Sequence, residues 1–190
     1  MTTCIVGGIT FVSIPKNAST TISSWFHDHF LRQITYGVTE GPHASMSMIE
    51  NRTAVTCAVV RNPWDRVVSM WAYEKRNPFR MRERRLPVAD IPPFDEYVRN
   101  LSKYSLNDGA WFTWATPQKE WIPDGVTHLL RFETLEHDFK NIQTLLGCNA
   151  PLKHVNNSER TYYRTYYTLE TQAIVAEMFK ADIEAFGYFF

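Results

Sequence analysis

Apolar and polar residues along this chain fall into segments of period two and segments of period three to four, and the two kinds alternate. Residues 9–14 alternate and predict a strand. Just after it Ile22, Trp25, Phe26 and Phe30 recur at helical spacing, with Ser19 or Thr20 placed to cap the start. Residues 53–60, TAVTCAVV, are a nearly continuous run of β-branched and small apolar residues, the pattern of a strand buried on both faces. A helix then starts near Pro63, a residue favoured in a first turn, with Val67, Val68 and Trp71 facing inward. Phe94, Tyr97, Val98 and Leu101 mark a short amphipathic helix. Residues 127–132, THLLRF, predict a third strand, and residues 135–146 a helix ended by Gly147. Residues 169–186 read as one long helix burying Ile174, Val175, Met178, Ile183 and Phe186. Residues 76–93 and 151–167 carry no clear period.

Strands that alternate with helices predict an α/β fold: one domain over residues 1–190, with a central parallel sheet flanked by helices. Such sheets bind ligands beyond the carboxyl ends of their strands. Two junctions of that kind stand out, at Lys16 and at Arg61.

Composition narrows the setting. The chain has 190 residues, enough for a sizeable core, with 44% hydrophobic and 21% charged residues. Its formal net charge is zero, which argues against bulk nucleic-acid or membrane binding but not against a local basic patch. The cysteines, Cys4, Cys57 and Cys148, are scattered, so neither a disulfide framework nor a zinc site is expected. No apolar run of spanning length and no signal-peptide pattern is present, and a cytoplasmic protein is the expectation.

The first junction reads 11-FVSIPKNASTTISSWF-26. A helix start offers N–H groups and a partial positive charge, Lys16 adds a full charge, and Ser19, Thr20 and Thr21 add hydroxyls. An anion site and a plain capped turn both fit. The nucleoside-triphosphate loop, G-x-x-x-x-G-K-[ST], does not, because glycine is missing and the lysine precedes the loop. The second junction reads 61-RNPWDRVVSMW-71. Arg61 offers a planar fork to a phosphate, and Ser69, two turns into the next helix, can face back toward the same loop. Taken singly, each residue also fits a plain structural part.

As an ordered pair, the two stretches resemble PAPS-dependent sulfotransferases, where PAPS is 3′-phosphoadenosine 5′-phosphosulfate. Pro15-Lys16-Asn17-Ala18-Ser19-Thr20 is similar to their 5′-phosphosulfate loop. Arg61-Asn62-Pro63 with Arg66 and Ser69 is similar to their 3′-phosphate motif. The nearest resemblance is to the Golgi carbohydrate sulfotransferases, heparan sulfate 2-O-sulfotransferases in particular. Pro117-Gln118, 131-RFETLEHDF-139, 154-HVNNSERTYYRTYYTLE-170, Asp182 and 186-FGY-188 are weaker echoes, so the likeness covers most of the chain. Asn17 stands where threonine is usual, and Asn62 where aspartate is frequent.

The resemblance implies a sheet related to that of P-loop NTPases and transfer of a sulfuryl group from PAPS to an acceptor hydroxyl, with a glycan as the first expectation and no metal required. Negative charge builds on the oxygen bridging sulfur and phosphorus, and Lys16 is the candidate cation there. The backbone from Pro15 through Asn17, Ala18, Ser19 and Thr20 to Thr21 would hold the 5′-phosphosulfate. Arg61 and Ser69 would hold the 3′-phosphate. A base near neutral pH is needed, and among six histidines His43, in 41-GPHASMSMIE-50, matches an H-x-S stretch of the resembling family. Glu40 and Glu50 are the local substitutes. Asn156, Ser158, Arg160 and Tyr163 would close over the nucleotide, while the tyrosines of that segment fit a packing cluster equally well.

The run 74-EKRNPFRMRERR-85 has six basic residues against two acidic ones. It reads first as a solvated face and second as a surface that steers an anionic acceptor. Two other functions stay open: a nucleotide kinase on a related sheet, and a non-catalytic module that binds an adenosine bisphosphate or a polyanion.

Overall fold

A computed structural model describes residues 3–36, 45–49, 51–76, 91–101, 114–153 and 160–190. Its strands are β1 (Cys4–Val6), β2 (Ile9–Val12), β3 (Ile34–Tyr36), β4 (Val55–Val60) and β5 (His128–Arg131). Its helices are α1 (Ser19–Phe30), α2 (Pro63–Arg76), α3 (Phe94–Arg99), α4 (Gln118–Trp121), α5 (Leu135–Leu145), α6 (Leu169–Met178) and α7 (Lys180–Phe186). Short 3₁₀ turns cover Leu31–Gln33, Met46–Met48, Phe132–Thr134 and Tyr163–Tyr166. The chain divides into two compact units, Met1–Arg61 with Gln118–Asn157, and Asn62–Pro117 with Ser158–Phe190.

The first unit holds the sheet, in the order β3-β1-β2-β4-β5 among the described residues. Its three patterned strands run parallel: Phe11 of β2 faces Cys57 of β4, and Cys57 faces His128 of β5. The other two change the expected all-parallel sheet into a mixed one, because β1 runs antiparallel to both β2 and β3. Gly7 and Gly8, at φ 52° and 80°, make the two-residue hairpin turn that joins β1 to β2. A side chain at Gly7 would have its Cβ against Leu146 Cδ2, so Leu146 would have to move.

Helix α1 buries Ile22, Trp25 and Phe26, and α5 buries Leu135, Phe139 and Ile142, at spacings of three and four that keep one stripe on the core. Trp25 stands edge-on to Phe139 at 5.0 Å, and Phe26 edge-on to Phe11 at 5.8 Å. Each such ring removed from water contributes roughly 1.5–3 kcal/mol. Gly147, at φ 64°, ends α5 as the sequence predicts.

The second unit packs α2, α3 and α6 around Trp64, Val67, Val68, Met70, Phe94, Tyr97, Val98, Leu101, Val175 and Phe179. Asn62 caps α2: its Oδ1 accepts from the Trp64 N–H at 3.1 Å, and its Nδ2 donates to the Phe189 carbonyl at 2.9 Å. An aspartate would keep the first bond and lose the second, which gives Asn62 its own reason to stand there. Trp71, expected inside, is half-buried, with its indole N–H donating to the Pro92 carbonyl. The long helix expected over residues 169–186 is two helices. Thr168 caps α6 in a reciprocal pair with Thr171, and the chain leaves helical geometry at Phe179, φ −110° and ψ 27°. Bending there seats the Phe179 ring wholly inside, while Ile174, Met178 and Ile183 are only half-buried.

Candidate anion-binding site

The loop between β2 and α1 is bent by two residues in the left-handed region, Lys16 at φ 68° and Ala18 at φ 57°. Neither is glycine, and each costs about 1–2 kcal/mol there. Ala18, not Ser19 or Thr20, occupies the cap position, and its carbonyl accepts from the Ile22 N–H at 3.1 Å. The expected side-chain cap is absent because Ser19 turns its hydroxyl back to the Ile14 carbonyl at 2.8 Å. Exposure alternates along the loop. Pro15, Asn17, Ser19 and Thr21 are buried, whereas Lys16, Ala18 and Thr20 are half-buried. Lys16, and Thr20 in the first turn of α1, are therefore the polar side chains here with surface to offer an anion, beside the N–H groups of that turn.

Buried hydrogen bonds hold this bend. Asn17, 1% exposed, donates through Nδ2 to the Val59 carbonyl at 2.7 Å and to Gln118 Oε1 at 2.6 Å. Arg61 donates from Nη1 to the Lys16 carbonyl at 3.0 Å, and its guanidinium carbon lies 3.7 Å from the centre of the Phe132 ring. Gln118, 0% exposed, accepts at Oε1 from the Arg61 N–H at 2.8 Å and donates from Nε2 to the Arg61 carbonyl at 2.9 Å. Each buried bond contributes roughly 0.5–1.5 kcal/mol, and more from a charged donor, which matches the scale of the strain. Asn17 Oδ1 is buried with no hydrogen-bond partner.

Lys16 and Arg61, assigned from sequence to different phosphates, thus meet through a backbone carbonyl at the parallel strand ends of one unit. Ser69 is half-buried in α2 of the second unit. Arg66, grouped with it by the motif, is wholly buried and spends its guanidinium on the carbonyls of Thr116 and Trp114, at 3.0 and 2.8 Å. Arg160 pairs with Asp65 in the first turn of α2. Tyr163 lies tilted to Tyr162 at 4.9 Å and edge-on to Phe190 at 5.8 Å, and burial pushes its phenol pKa up. Tyr166 and Tyr167 pack on Phe94 at 5.6 and 4.9 Å, in the packing cluster that the sequence allowed. His43, Asn156 and Ser158, with Glu40 and Glu50, lie outside the described residues.

Sequence reasoning took Asn17 for its backbone alone and gave Gln118 no role beyond a weak family echo. A buried amide in a four-residue helix carries no periodic signal, and its partners are 57 and 101 residues away. Among the described residues no cluster of three His, Cys, Asp or Glu side chains is arranged to hold a metal, and no helix is long and apolar enough to cross a membrane. No protein-family model matches the chain, and no curated protein matches it.

Proposed function

We propose that the chain is a sulfotransferase that moves a sulfuryl group from 3′-phosphoadenosine 5′-phosphosulfate to an acceptor hydroxyl, with a carbohydrate as the acceptor class. The reading draws most support from the strained, glycine-free loop at the end of a parallel strand, which carries Lys16 directly into the start of α1. A chain that keeps two left-handed non-glycine residues under a buried clamp is maintaining one backbone shape, and such strain concentrates at ligand-binding sites.

In the proposed reaction the acceptor oxygen attacks sulfur as the bond from sulfur to the phosphate oxygen breaks. The electron pair goes to that oxygen, which leaves on adenosine 3′,5′-bisphosphate, and a base takes the acceptor proton. Lys16 meets the charge that grows on the leaving oxygen, an interaction stronger in the transition state than in the ground state. The backbone from Asn17 to Thr21 holds the phosphosulfate in line. His43 is the proposed base.

The test is calorimetric titration of the purified chain with adenosine 3′,5′-bisphosphate beside ATP with Mg²⁺. Micromolar binding of the bisphosphate, about −8 kcal/mol, with little response to ATP is the expected result. A preference for ATP would replace the reading with a nucleotide kinase. Tight bisphosphate binding without transfer to any hydroxyl would leave a binding module.

The 3′-phosphate role of Arg61 has a separate check. Arg61→Ala should weaken adenosine 3′,5′-bisphosphate more than adenosine 5′-phosphosulfate, the loss common to both reporting the tether to the Lys16 carbonyl. Equal losses would make Arg61 only the tether of the Lys16 carbonyl.

A further inference from the structure

We propose that Gln118 is a positioning residue that sets the conformation of the Lys16 loop, and that it does so by acting as a detached rung of the sheet. The functional part of this inference rests on the reading of that loop as the donor site. The loop-setting part stands on geometry alone.

The Gln118 amide accepts from the Arg61 N–H and donates to the Arg61 carbonyl. That is the exchange of bonds a neighbouring strand makes with one residue of a ladder. Arg61 follows the last residue of β4, where pairing with β5 stops at Val60 and Arg131. The side chain of Gln118 therefore continues the ladder by one residue past its end. The same Oε1 atom also takes the Asn17 amide. Asn17 sits between the two left-handed residues, and Arg61 in turn holds the carbonyl of the first of them. One buried amide thus fixes both ends of a closed ring: Gln118 to Asn17, Asn17 to Lys16 along the chain, Lys16 to Arg61, and Arg61 back to Gln118.

The amide can face only one way. Reversed, its NH₂ would meet the donors of Asn17 and Arg61, and its oxygen would meet the Arg61 carbonyl. An ordinary buried polar residue satisfies itself on whatever is near. Gln118 gives its amide oxygen to Asn17 and Arg61 and its amide NH₂ to Arg61, the residue between the two left-handed positions and the residue that holds the Lys16 carbonyl.

The experiment compares the full chain with Gln118→Met, which removes the amide bonds to Asn17 and Arg61, and Gln118→Glu, which keeps an acceptor for Asn17 and the Arg61 N–H. Amide hydrogen exchange is followed by mass spectrometry for residues 15–21, with α5 as the reference for global stability. Gln118→Met is expected to speed exchange in residues 15–21 at least tenfold with α5 protection kept, and Gln118→Glu less. The dissociation constant for adenosine 3′,5′-bisphosphate is expected to rise at least tenfold in Gln118→Met, with KM for the donor rising and kcat falling together.

Unchanged exchange at residues 15–21 in both variants would overturn the inference. So would a rise shared equally by α5, which would make Gln118 a core residue with no special hold on the loop. If Gln118→Met does not fold, the local exchange of Gln118→Glu decides on the same terms. A wild-type chain that binds no bisphosphate would sink the donor-site reading, while the exchange result would still decide whether Gln118 sets the loop.

Discussion

On the proposed sulfotransferase reading, Lys16→Ala is expected to lower sulfuryl transfer by about two to three orders of magnitude and to weaken adenosine 3′,5′-bisphosphate by tenfold or less. This is the result expected if the ammonium acts on charge that exists only in the transition state, and it is the size lost when one preorganised donor is removed from such a site. The measurement is single-turnover cleavage of labelled donor beside calorimetry with the bisphosphate. Turnover that survives the substitution would remove Lys16 from the mechanism. Lys16→Gly supplies the control against a folding effect. Lys16 holds φ 68°, where glycine pays no penalty, so the glycine variant should melt no lower than the wild type and still lose the activity.

Arg66→Met should be the most destabilising change in the second unit, by about 3–5 kcal/mol. The guanidinium is fully buried, it satisfies the carbonyls of Thr116 and Trp114, and it lies 5.8 Å from the centre of the Phe179 ring. Methionine fills part of the volume and replaces neither bond to the carbonyls of Thr116 and Trp114, so the urea midpoint should fall steeply. The folded fraction should bind adenosine 3′,5′-bisphosphate as the wild type does. A stability change under about 1 kcal/mol, joined to weaker nucleotide binding, would return Arg66 to the anion-binding role that its motif suggested.

Much of the fold was legible because its long elements bury one face. The parallel strands β2, β4 and β5 and helices α1, α2, α3 and α5 all appear as periodic or continuous apolar runs. Strands β1 and β3 are three residues each, too short to show a period, and the Gly7-Gly8 turn between β1 and β2 went unread. The break at Phe179 was hidden because apolar spacing continues through it. In the site, Lys16 and Arg61 were legible as cations at strand ends. Three other features were not. Ser19 had two acceptable uses for its hydroxyl and took the one that serves the Ile14 carbonyl, two residues past β2. Arg160 is matched by an aspartate 95 positions away, and Gln118 reaches two loops far from it in sequence. Local pattern says which face a residue turns inward, but it does not say which polar group will be waiting there.

The clamp on the Lys16 loop also orders events in time. The strained bend between β2 and α1 is a local stretch of chain, but its partners lie 42, 45 and 101 residues along the sequence. Closing loops of that length precedes any reward, so the bend cannot be kept until β4 and α4 have already docked. On that order the clamp closes after the rate-limiting barrier, and substitutions at Asn17 and Gln118 are expected to give φ-values near zero in folding kinetics. Interactions formed that late leave the folding rate almost untouched and act on the unfolding rate. Natural variation within the clamp would thus be felt as a shorter lifetime of the assembled site in a chain that still folds at its usual speed.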